Sequence, residues 1–258
     1  IEKRAHTENY RLFVCDTDND MDREEAYLQD LYERRVDGLI VASSAASGHV
    51  HKSLKRSTAP VVLIDRELRD VPFDTVRTDH EAGAFLATEH LIKLGHRRIG
   101  IVVGTGSESV HEQRVDGYRQ ALEQHGIPFD PDLVKRRDWE TGHESVDELL
   151  ALSKPPTAIF ATNPVVTVAV LVDLKRLRVQ VGTDIALVAF DDLDTAELFN
   201  PPLTVVAQNP TQIGSTAIDV LLQRISGEVT GPPQEIIFRP SLLVRGSCGS
   251  HRIHEEVT

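Results

Sequence analysis

The 258-residue chain is 40% apolar and 26% charged, ordinary for a folded protein, and long enough for one large core or two lobes of about 100–150 residues. No apolar run approaches the roughly 20 residues that cross a bilayer, and the opening IEKRAHTENY lacks the apolar stretch of a signal peptide. A formal net charge of −12 repels polyanions, which disfavours direct DNA binding by these residues and assigns any such contact to a further segment.

The chain opens inside what reads as the end of a helix, residues 1–8, followed by a strand-like run at 10–15. A helical pattern at 21–35 leads to strands at 37–41, 60–64 and 75–77. Asp79 then caps a helix with Ala82, Phe85, Leu86 and Ile92 on its apolar face, stopped by Gly95 and a basic His96-Arg97-Arg98. A strand at 98–103 precedes a helix that ends over residues 117–126, with Pro128 just beyond. Strands at 133–135, 158–161, 185–190 and 203–207 are interleaved with helices at 142–152 and 164–178. A helix at 212–227 and strands at 234–238 and 241–244 complete the series. Most of these strands are unbroken apolar runs, the pattern of strands covered on both faces. Alternating strands and helices predict a doubly wound α/β fold. Such a lobe starts on a strand that becomes internal to its sheet, so a chain that starts on a helix predicts a βα segment upstream.

The run 185–190 ends in Asp191 and Asp192. Open α/β sheets bind ligands beyond the carboxyl ends of their strands, so Asp191 is a candidate ligand contact and Asp192 a helix cap. Arg114 offers a planar fork for a carboxylate or vicinal hydroxyls, against the alternative of a solvated helical arginine. Trp139, the single tryptophan, lies in the polar stretch Arg137-Asp138-Trp139-Glu140 and suits stacking on a sugar face or packing within its loop. Asn163 and Asp65 each follow a strand directly, where helix capping is the alternative use.

Other motifs argue against catalysis. The loop Gly104-Thr105-Gly106-Ser107-Glu108-Ser109 lacks the third glycine of a dinucleotide fingerprint and the GK[ST] of a P-loop, and reads as a plain βα turn. Eleven histidines include no HExxH, and there is no GxSxG; His90 and His96 flank a helix end and suit capping. Cys15 and Cys248 have no metal-binding spacing and read as one small buried hydrophobe and one tail thiol. No enzyme, metal or cofactor is expected.

With those residues in view, the chain resembles the effector-binding core of the LacI/GalR (lac repressor/galactose repressor) family of bacterial transcription regulators. The resemblance is carried by Val36-Asp37-Gly38-Leu39-Ile40, Pro60-Val61-Val62-Leu63-Ile64-Asp65-Arg66, Leu94-Gly95-His96-Arg97-Arg98-Ile99, Arg114-x-x-Gly117-Tyr118, the stretch 184–192, Pro201-Pro202-Leu203-Thr204 and Leu243-Val244-Arg245-Gly246-Ser247. It implies a periplasmic-binding-protein type I fold, two doubly wound parallel-sheet lobes joined by three crossovers with an effector in the cleft. The lobes would be 1–78 plus 208–239 and 79–207 plus 240–248, followed by a polar tail at 249–258. Arg114, Asn163 and Asp191 match effector contacts, Trp139 a ring packed on the effector, and Asp65 and Gln208 cleft positions. The resemblance further implies a sugar or similar small polar effector, a homodimer, operator DNA reached through an upstream helix-turn-helix, and a cytoplasmic location. A solute-binding protein of an ABC transporter is the alternative on the same fold, separated by what lies upstream. Two positions depart from the family pattern. Asn163 is followed by Pro164 rather than Asp, which a helix's first turn accepts, and Ala189 replaces a common glycine.

Overall fold

The computed structural model describes residues 1–44, 52–66, 73–104, 109–137 and 145–249. Its first elements are α1 (Glu2–Thr7), α2 (Met21–Glu33), β1 (Leu39–Val41), α3 (Lys52–Arg56), β2 (Val61–Ile64) and β3 (Asp74–Thr78). Next come α4 (His80–Lys93), β4 (Ile99–Gly104), α5 (Ser109–Gln124), β5 (Val134–Arg137), α6 (Ser145–Leu150), β6 (Ala158–Ala161) and α7 (Pro164–Arg176). The remainder is β7 (Ala186–Phe190), β8 (Thr204–Ala207), α8 (Pro210–Ile225), β9 (Glu235–Phe238) and β10 (Ser241–Leu243). These elements form two units, the first mainly Ile1–Thr78 and Asn209–Phe238, the second mainly Asp79–Gly106, Val110–Gln208 and the chain from Arg239.

The first unit is a parallel sheet in the order β1-β2-β3-β9. One face packs Val62 and Val76 against Ala217 and Leu221 of α8, the other packs Leu39 and Leu63 against Leu28 and Leu54. Burial of such side chains contributes roughly 1.5–3 kcal/mol each. Arg224 of α8 grips both carboxylate oxygens of Asp74 at 2.7 Å, tying the helix to the start of β3. Residues 10–15, expected as a strand, form none. Leu12, Phe13 and Val14 are 44%, 69% and 83% exposed, and β1 pairs only with β2, so no strand edge receives this segment among the described residues. An apolar run becomes a strand only where a neighbour completes its hydrogen bonds.

The second unit is a six-stranded sheet in the order β10-β8-β7-β6-β4-β5, parallel except for β10, which runs antiparallel to β8. Strands β4, β6 and β7 are buried along their whole length, as their unbroken apolar runs predict. Ile101, Phe160 and Val188 face a cluster with Leu91 and Tyr118, while Ile159 and Leu187 face Leu149, Val170 and Leu174. Helix α4 starts on Asp79, whose carboxylate accepts from the Ala82 amide at 2.9 Å, and stops at Gly95 with φ of 93°. Gly117 lets α5 approach α4: a Cβ there would lie 2.1 Å from the Glu81 carbonyl oxygen.

Of the two cysteines the one near the tail is the buried one. Cys248 is 1% exposed and accepts from the Thr204 hydroxyl at 3.2 Å, while Cys15 is exposed. Among the described residues no helix is long and apolar enough to cross a membrane.

Candidate functional site

The carboxyl ends of β6, β7 and β8 lie side by side at one edge of the second sheet, and the residues that follow them carry the candidate chemistry. Asp191 leaves β7 with φ of 74°, a left-handed conformation uncommon for a side-chain-bearing residue, while its amide still donates to the Val206 carbonyl at 2.9 Å. The strained turn lifts its carboxylate off the sheet edge. There Oδ1 accepts from Gln208 Nε2, and Oδ2 lies 4.0 Å from Arg114 Nη2.

Arg114 is not a solvated helical arginine. It is 4% exposed, on the second turn of α5, and its guanidinium carbon sits 3.9 Å from the centroid of the Phe190 ring. Its Nη1 donates to the Thr162 carbonyl, and its Nη2 lies 3.2 Å from His80 Nδ1. A guanidinium can only donate, so that contact makes His80 Nδ1 the acceptor and puts the ring proton of a neutral His80 on Nε2.

Asn163 caps α7: its Oδ1 accepts from the Val166 amide at 2.7 Å, with Pro164 in the first turn. The acceptor is thereby committed, while Nδ2 lies beside Gly104, where a Cβ would approach it to 3.1 Å and the His111 ring to 3.0 Å. The neighbouring Thr162 hydroxyl is fully buried, with no hydrogen-bond partner among the described residues. Asp192, expected to cap a helix, instead makes a two-pronged ion pair with Arg245 at 2.9 and 3.0 Å. The element after it is only a three-residue 3-10 turn, Ala196–Leu198, which gives a capping carboxylate little to cap.

Asp65 belongs to the first unit, just after β2, with φ of 63° and its amide donating to Val76 O at 3.1 Å. Next to it in sequence, Arg66 donates to Ser43 O at 2.7 Å and Asn19 Oδ1 at 2.9 Å, and the buried Glu24 accepts from Ser43 and Ser44. Trp139 and residues 105–108 lie outside the described residues.

The structure therefore brings Arg114, Asp191 and Gln208 into one line, with Asn163 adjacent to the Thr162 carbonyl that holds Arg114. Sequence reasoning missed His80, Thr162 and Phe190, which hold that arginine. His80 had one weak signal, a polar ring in the first turn of a helix; Phe190 is indistinguishable from any core residue of β7. A cation and a carboxylate 4.0 Å apart, flanked by an amide, form a patch that pairs with hydroxyl groups by donating and accepting together. Among the described residues no group of three or more His, Cys, Asp or Glu side chains is placed to hold a metal ion.

Residues 88–248 match the family described as a periplasmic binding protein-like domain. The HTH-type transcriptional repressor PurR of Aliivibrio salmonicida is 32% identical over 228 residues, 87% of this chain and 68% of the relative. Among solved structures, the transcription regulator CcpA of Lactococcus lactis is 25% identical with a TM-score of 0.85, covering 95% of this chain and 90% of that one. A LacI family transcriptional regulator from Enterococcus faecium with bound ribose is 28% identical with a TM-score of 0.82, covering 96% and 90%.

Proposed function

The chain belongs to the LacI/GalR family of transcriptional repressors, and on that premise we propose that it is the effector-binding core of one, taking a sugar or similar small polar metabolite. The observation that carries this reading is the line Arg114–Asp191–Gln208 at the carboxyl edge of the second sheet. Arg114 donates to one hydroxyl of the effector while Asp191 accepts from its neighbour, which selects vicinal hydroxyls over isolated ones. Asn163 contributes Nδ2 as a donor, since its oxygen holds the helix. Trp139 supplies a stacking face. The bound ribose in the Enterococcus faecium relative supports a sugar.

Operator DNA is read by a helix-turn-helix segment of the same protein in the cytoplasm, a division of labour that suits a core of charge −12. The core acts as a homodimer. Val165, Val168 and Val172, 47–52% exposed at i, i+3 and i+7 on α7, line one apolar face. A second copy covers that face. The effector controls DNA binding only through different affinities for the DNA-competent and incompetent states, a coupling of about 1–3 kcal/mol. No catalytic step is assigned, and the names of the relatives favour a repressor over the transporter alternative, which shares the fold.

The test is a thermal-shift screen of the protein against sugars and phosphosugars, followed by calorimetry. One compound is expected to raise the melting temperature, since a ligand at 100 times its Kd stabilises by about 2.7 kcal/mol. Asp191→Ala should abolish that shift while the unliganded protein stays folded. A panel without any hit, or unchanged affinity in Asp191→Ala, refutes the reading.

A further inference from the structure

His80 is the second residue after Thr78, where the chain leaves the first unit and enters the second. It is fully buried, its ring centroid 5.8 Å from that of Phe190, and its Nδ1 is 3.2 Å from Arg114 Nη2. Three described groups thus fix the Arg114 guanidinium. The Thr162 carbonyl takes Nη1, Phe190 supports the flat face, and His80 takes Nη2. The first two ride on β6 and β7 and move with the sheet. His80 comes from the first turn of α4, a helix of the same unit.

We propose that His80 is the positioning residue for Arg114: its Nδ1 accepts from Nη2 and sets the angle at which that nitrogen meets Asp191 Oδ2, 4.0 Å away. Each Nη carries two hydrogens in a fixed plane, so accepting one of them aims the other. A buried guanidinium without this acceptor has a desolvated donor to satisfy elsewhere and turns toward another partner. On the other side of the line, Gln208, the last residue before the chain returns to the first unit, holds Asp191 in the same way. The inference rests on the reading of Arg114 as an effector contact.

Two measurements test it, using the whole chain. In the ligand-free protein, a long-range 1H–15N correlation spectrum should show His80 as the neutral Nε2–H tautomer, with that preference lost in Arg114→Ala. An Nδ1–H tautomer in the unsubstituted protein overturns the proposal without reference to any effector. In calorimetry with D-ribose, His80→Phe, which keeps a ring but no acceptor, should bind about tenfold more weakly. His80→Asn, whose Oδ1 stands where Nδ1 does, should recover to within about threefold. Equal loss in the two variants, or no loss in either, overturns the positioning role. Failure of the unsubstituted protein to bind D-ribose counts against ribose as the effector alone, and the tautomer then decides the role of His80.

Discussion

A methyl group at Gly117 would sit 2.1 Å from the backbone oxygen of Glu81, closer than any real contact, and backbone cannot rotate away as a side chain can. Gly117→Ala should therefore push α5 from α4 at a cost of about 1–3 kcal/mol, read as a lower denaturation midpoint. Arg114 lies three residues earlier on the same helix, so effector affinity should fall with stability in that variant. His96 behaves differently. Burial, and secondarily the neighbouring His90, lower its pKa from 6.5, while its Nδ1 contacts the Thr157 hydroxyl at 2.8 Å. The unfolded chain then binds the proton more readily than the folded one. The contribution of His96 is complete above pH 6.5 and declines as the pH falls from there through the lowered value. His96→Gln should flatten the pH dependence of the melting temperature in that acidic window. At this scale Asp191 was legible as a candidate because it stands at the carboxyl end of a strand, where open α/β sheets bind ligands. The supports of Arg114 were not, since His80 and Thr162 acquire meaning only when folding brings α4, β6 and α5 together.

Helix α7 shows how one side chain serves an element and a ligand at once. Asn163→Ala removes the cap and should cost about 1 kcal/mol, whereas Asn163→Asp keeps an acceptor and should hold the melting temperature. If Nδ2 serves the effector, Asn163→Asp still loses affinity; equal binding by the two proteins excludes that use. On the outer face of the same helix, Val168→Glu tests the proposed dimer and should favour monomer in light scattering without unfolding the chain. Helices with paired start and stop signals, such as α4 between Asp79 and Gly95, were readable to within a residue or two. So were the strands buried on both faces. Residues 10–15 were not, because their apolar pattern meets the requirements of a strand and lacks only the neighbour that pairs with it. The five-residue α3 and the 3-10 turn at Ala196–Leu198 are too short for periodicity to register.

At the scale of the molecule, the second sheet is closed by the chain's return. After β10, Ser247 donates to the Leu187 carbonyl at 2.7 Å and accepts from the Thr204 amide at 2.8 Å, and Arg245 pairs with Asp192 next to the site. Arg245→Ala should loosen the Asp192 turn and weaken effector binding more than it lowers stability, because the pair is partly exposed to water. Calorimetry and denaturation on the same variant separate the two effects. The doubly wound class was legible from alternation alone. The order β1-β2-β3-β9 was not, since nothing local in Glu235–Phe238 says that it joins strands more than 150 residues earlier, such as Thr75 beside Glu235.

That interleaving also fixes when the protein can exist. The first sheet receives β9 and α8 only from the chain after Gln208, and the second receives β10 only after Arg239. A ribosome adding roughly 5–20 residues per second would ordinarily release a first domain to fold while the second is being made. Here neither unit has its full set of strands until the last elements emerge, so both are completed almost together, and a stop codon ahead of β9 would leave no intact half behind.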